Sequence, residues 1–145
     1  LSFFMIKGAW GMMLLSIICG FALALDLLGD QGPALFGFVL LFGWLLTYIK
    51  GMLQRIVPFL AAMNMSKRNH KPPRLSELAQ GSPLKLHAIC HGLAIVVGAT
   101  SIALDQPDGL RVAGLVGFIG AAGFAWFCFS VLRSFFTYHR TAAEN

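Results

Sequence analysis

A chain of 145 residues that is 57% hydrophobic and only 12% charged lies outside the composition of soluble globular domains. Its net charge of +5 would suit a nucleic-acid binder, but ten of the eleven Lys and Arg residues gather on one side of the topology derived below. The basicity therefore marks orientation in a membrane, and no nucleic-acid partner is expected.

Four uncharged apolar stretches organise the chain: Gly8–Leu25, Gln31–Ile49, Leu86–Leu104 and Val112–Leu132. Each holds about 18–21 residues, the length a helix needs to cross a bilayer core of roughly 30 Å. The runs are continuous, not alternating, which excludes barrel strands and leaves an all-α membrane protein. The expectation is one transmembrane domain over 1–145 with spans at about 4–25, 34–50, 84–104 and 110–136.

Phe3–Leu25 has no basic segment before it and no small-residue cleavage site, so it does not read as a removable signal peptide. The chain starts with Leu1, which suggests either missing first residues or a piece of a longer polytopic protein. After the first span, Asp26 to Pro33 forms a short acidic turn, with Pro33 suited to the first turn of the next helix. Beyond Lys50, the apolar residues of Gly51–Met65 have the spacing of an interfacial amphipathic segment, and Pro58 should kink or end it.

A basic loop follows at about 64–83, with Lys67, Arg68, Lys71, Pro72, Pro73 and Arg74; Ser76–Gln80 suits one helical turn. After the third span, Gln106-Pro107-Asp108-Gly109 reads as a β-turn. The tail after Phe136 is expected to fray. Lys7, Lys50, Arg55, Lys67, Arg68, Lys71, Arg74, Lys85, Arg133 and Arg140 lie at the termini and the middle loop, whereas the two short turns hold Asp26, Asp30, Asp105 and Asp108 with Arg111 alone. Cytoplasmic loops carry excess Lys and Arg, so the four spans are expected to form two hairpins, N-in and C-in, and the expected location is a bacterial inner membrane. Trp10, Phe135, Phe136 and Tyr138 suit an aromatic belt at the inner interface.

His87 and His91, four residues apart, share one helix face and are the candidate cofactor ligands. Neutral imidazole ligates haem iron or other metals. Two imidazoles on one face cannot be opposite axial ligands of one haem. Both are expected within two turns of the inner surface, where simple polar contact would also satisfy them. Cys90 and Cys128, expected at similar depth, complete a conceivable mixed S/N metal site with them, but no metal site is assigned. Cys19 reads as a small buried residue.

Lys50, Gln54 and Arg55, at the inner end of the second span, and the loop residues Lys67, Arg68, Lys71 and Arg74 are candidate contacts for anionic lipid headgroups or for a partner's carboxylates, with snorkelling as the plainer reading. Gly114, Gly117, Gly120 and Gly123 repeat every three residues and give the fourth helix a small packing face. It would meet another helix of the chain or of another subunit; a cofactor ring or a lipid would also lie flat against it. Gly8 with Gly11, and Gly37 with Gly43, are weaker versions. No carboxylate lies mid-span, and no Walker, HExxH or serine-nucleophile motif is present, so no catalytic residue is assigned.

Gly43-Trp44-Leu45-Leu46, then Lys50-Gly51-Met52-Leu53-Gln54-Arg55-Ile56-Val57-Pro58-Phe59-Leu60 and a basic loop with Pro72-Pro73, resembles the C-terminal helices of NnrS-related proteins and of the catalytic subunit of haem–copper oxidases. The resemblance covers Gly43–Pro73. It implies a tail fragment or reduced relative of a protein with more spans, and haem association through His87 or His91. The oxidase helix spaces its ligands His-x-His, whereas this chain has His-x-x-x-His.

The sequence thus points to a non-catalytic integral membrane subunit, or a segment of a larger respiratory or electron-transport complex, packing through glycine-rich faces. The alternatives are a haem- or metal-binding redox protein and a small transporter component.

Overall fold

A computed structural model describes residues 2–66 and 81–141, without the side chains of 65, 66 and 138–141. The basic residues Lys67, Arg68, Lys71 and Arg74, the expected helical turn at Ser76–Gln80, and the side chains of Tyr138 and Arg140 lie outside the described residues.

The described residues are all-helical. Helix α1 spans Ser2–Ala24. Helix α2, Gly32–Phe38, runs through a π-helical stretch, Val39–Leu45, into α3, Leu46–Ser66. Helix α4 covers Gly81–Ala103, and α5 covers Pro107–Thr141. Four helices are long and apolar enough to cross a membrane: Ser2–Ala24, Gly32–Asn64, Gly81–Ala103 and Pro107–Thr137. The apolar runs form helices because each must satisfy its backbone within itself where water is absent.

The second and fourth of these helices run on past the expected spans. The 33 residues of Gly32–Asn64 and the 35 of α5 each reach about 50 Å at helical rise, against roughly 30 Å of hydrocarbon. The amphipathic stretch Gly51–Met65 continues the same helix, and Pro58, expected to kink or end it, is buried inside it without interrupting it. Val57 and Ala61 pack against a cluster of Leu84, Phe127 and Val131, with Phe124 and Cys128 beside it. Val57 and Ala61 thus face tertiary contact, while Ile56, Phe59, Leu60 and Met63 of the same segment are exposed.

Both short turns open with the same cap. Asp26 and Asp105 adopt φ of 56° and 52°. Asp26 donates its N–H to Leu23 and Leu27 to Ala22; Asp105 donates to Ile102 and Gln106 to Ser101. These are two Schellman motifs, each following Ala-Leu-Asp, with Asp in the left-handed position that glycine more often takes. The Gln31 amide donates to the Asp105 carboxylate at 3.0 Å and ties the turns together. The β-turn expected at Gln106–Gly109 is the start of α5: Pro107 is pre-organised for the first helical position, and Asp108 complements the helix N-terminus.

Glycines set the close approaches. A Cβ on Gly43 would collide with Met12, one on Gly51 would lie 3.1 Å from Ile6, and one on Gly98 would collide with the Phe38 ring. Between α4 and α5, a Cβ on Gly120 would lie 3.0 Å from that of Cys90, on Gly117 3.5 Å from that of Ala94, and on Gly123 3.4 Å from the Pro83 carbonyl. Gly114 has open space above it, because a repeat of three turns each successive residue 60° around a helix of 3.6 residues per turn.

Candidate functional site

The polar side chains within the apolar helices meet between α3, α4 and α5. His87 is 0% exposed and His91 6%. Their rings stack with centroids 5.5 Å apart, and Phe124 covers His87 at 5.1 Å. Helix α4 starts at Gly81, so His91 is near the middle of its 23 residues.

His87 Nδ1 lies 2.8 Å from the Gly120 carbonyl. A carbonyl only accepts, so Nδ1 carries the proton and, in the neutral ring, Nε2 holds a lone pair. That Nε2 is buried with no hydrogen-bond partner among the described residues. The bond depends on the close approach at Gly120: a side chain there would push α5 away from α4. The glycine repeat noted in the sequence therefore also positions an imidazole.

His91 Nε2 lies 2.7 Å from Thr47 Oγ1, which also reaches the Phe42 carbonyl at 3.2 Å. With the hydroxyl proton given to Phe42, His91 Nε2–H donates to Thr47. The link of Thr47 to the carbonyl five residues back follows from the π-helical stretch, whose extra residue per turn re-aims the face of α3 that follows it. Nothing in the residue pattern signals this; Thr47 was not among the candidates. Gln54, two turns after Thr47 and grouped in the sequence with Lys50 and Arg55 as a headgroup or partner contact, is instead only 5% exposed, and neither of its amide atoms has a partner among the described residues.

A lateral groove of about 750 Å³ lies beside this polar layer. Helix α4 forms its floor with His91, Ala94, Ile95 and Ile102. One wall comes from Pro33, Ala34, Gly37, Phe38, Leu41, Phe42, Leu46 and Lys50. The other comes from α5, with Leu110, Ala113, Gly114, Gly117, Phe118 and Ala121. Small residues interspersed in both walls, Ala34 and Gly37 on one side and Ala113, Gly114, Gly117 and Ala121 on the other, leave room between the larger ones. Lys50, half-buried here, is the one cation of the lining.

The remaining candidates are dispersed. Arg55 is exposed and donates through Nε to the Ser2 hydroxyl at 3.0 Å. Cys90 packs on Gly120, whereas Cys128 sits eight residues, about 12 Å, further along α5 in the Leu84–Phe127–Val131 cluster. The two cysteines are thus not at similar depth, and no group of three His, Cys, Asp or Glu able to hold a metal ion occurs among the described residues. Gly117 lines the groove and also packs on α4; Gly120 and Gly123 pack on α4; Gly114 faces the groove.

The groove and the imidazoles divide the requirements of a haem ligand between them. His91 borders the groove, but its Nε2 is engaged by Thr47. His87 has the free Nε2 but is not part of the lining. No protein family, curated protein or solved structure matches this chain.

Proposed function

We propose that this chain is a non-catalytic integral membrane subunit, or a four-span segment of a larger membrane complex of respiratory or electron-transport type, in a bacterial inner membrane. Its spans form two hairpins, N-in and C-in, and Arg55, Lys67, Arg68, Lys71 and Arg74 meet anionic headgroups on the inner side, while Lys50 lines the lateral groove. The observation that carries this reading is the inversion of polarity. Phe4, Phe21, Leu115, Phe118, Trp126 and Phe136 are exposed, while Thr47, Gln54, His87 and His91 are buried. Such a surface is stable against lipid or against other apolar helices, not in water.

Contact with another subunit is best supported at α1. Gly8 and Gly11 are exposed, and nothing lies within 4 Å of a Cβ built on either, so a second helix can approach their backbone closely. Gly120 and Gly123 are already covered by α4. The test is native mass spectrometry after mild extraction from the source membrane. The wild-type chain should travel in a larger complex, and a Gly8→Leu/Gly11→Leu variant should be released as the free chain. A wild-type chain that migrates alone would sink the subunit reading.

A second reading, a haem- or metal-binding redox protein, rests on His87: an imidazole anchored at Nδ1 with a buried lone pair at Nε2 is the arrangement that metal-ligating histidines use. The resemblance to NnrS-related and haem–copper oxidase proteins favours the same group. A Soret band in the purified protein, lost in His87→Ala, would establish it; a colourless, metal-free protein would exclude it. The transporter reading draws no support from the groove, whose lining offers a polar solute only Lys50 and His91.

A further inference from the structure

We propose that the lateral groove binds a single-chain amphiphile with a monoanionic head, the class of a long-chain fatty acid, with its carboxylate at the Lys50 ammonium. The hydrocarbon tail lies along the small residues of α2, α4 and α5.

The shape selects a chain. From Pro33 to Lys50 one wall runs roughly 25 Å at helical rise, so the space of about 750 Å³ has a wall long enough for an extended acyl chain. Ala34, Gly37, Ala94, Ala113, Gly114 and Ala121 keep it open.

The charge selects the head. Lys50 and His91 stand together at one end of the lining, and the opposite end, at Pro33, Ile102 and Leu110, is apolar. Lys50 has no carboxylate partner among the described residues, where the one salt bridge is the exposed Asp108–Arg111 pair. A cation half-buried in apolar surroundings is costly unless an anion compensates it. One cation matches one negative charge, and the apolar remainder of the lining matches a hydrocarbon tail. His91 Nε2 is engaged by Thr47, which leaves its ring as a wall beside the head and Lys50 as the charge partner. The proposal is independent of whether the chain has partner subunits or a haem.

The experiment uses the full chain in phosphatidylcholine nanodiscs with radiolabelled palmitate as the probe. Saturable binding is expected, competed by unlabelled palmitate but not by methyl palmitate, which has the tail without the charge. Lys50→Met, which keeps the stem and removes the charge, should weaken binding roughly tenfold or more, and Lys50→Arg should retain it. Gly114→Leu should abolish it by filling the groove. Nothing lies within 4 Å of a Cβ at Gly114, so this variant should fold with an unchanged melting temperature. Equal competition by the methyl ester, by a neutral quinone or by a two-chain anionic phospholipid would overturn the proposal. So would unchanged palmitate binding in folded Lys50→Met or Gly114→Leu.

Discussion

At the scale of single residues, the polar side chains inside the bundle are distinguished by their partners, not by their identity. His91 and Thr47 share a 2.7 Å bond across α3 and α4. Such bonds in membranes are worth about 0.6 kcal/mol on average and up to about 2. Thr47→Val keeps the shape and removes the hydroxyl, so it should destabilise the fold by about 1 kcal/mol, with Thr47→Ser close to wild type. Reversible unfolding in mixed micelles measures the difference, and the ¹⁵N shift of His91 Nε2 should move in the Val variant alone. Phe127, fully buried beside Leu84 and Val131, is a packing residue, and Phe127→Ala should cost roughly 3–5 kcal/mol through the cavity it leaves. The exposed Asp108–Arg111 pair lies at the other extreme: Arg111→Ala should change stability by less than about 1 kcal/mol.

At the scale of the elements, close approach and capping decide how the helices meet. The Phe38 ring fills the space above Gly98, so Gly98→Ala should force that ring to move and cost about 1–3 kcal/mol, read as a lower melting temperature in detergent. The two Asp caps make an opposite prediction. Asp26 and Asp105 occupy the left-handed region, which glycine adopts without strain, so Asp26→Gly should be neutral or stabilising and Asp26→Val destabilising by about 1–2 kcal/mol. The repeated Ala-Leu-Asp before each turn was visible in the sequence, but its meaning as a cap appears only with the hydrogen bonds from Leu27 and Gln106. The π-helical stretch had no sequence signal, because its apolar residues suit an α-helix equally well.

At the scale of the whole molecule, the prediction concerns orientation. Under the proposed N-in, C-in topology the turns at Asp26–Gln31 and Leu104–Gln106 face outward, and the ends at Ser2 and Ser82 face inward. In a cysteine-free background, Asp30→Cys should react with a membrane-impermeant maleimide added to intact cells, and Ser82→Cys should react only after the membrane is opened. The reverse pattern would invert the topology. The same scale explains why the candidates of the sequence divided as they did. His87 and His91 were found because ionisable groups within an apolar run are rare and costly there. Thr47 escaped because a neutral polar residue near a span's end looks unremarkable until a neighbouring helix covers it, and Gln54 reads as a surface contact for the same reason.

The sequence by itself determined that four helices long and apolar enough to span a bilayer would form, because hydrocarbon permits few other ways to satisfy a backbone. In the sequence the basic residues also gather away from the two short turns, which hold four Asp residues and Arg111 alone. Only the tertiary structure decided that Gly120 would give its carbonyl to His87, that Thr47 would engage His91, and that Lys50 would border a groove. Those outcomes depend on the rotation and register of one helix against another. They are set by a few glycines and one π-helical stretch, whose effects act across sequence separations that a linear pattern does not record.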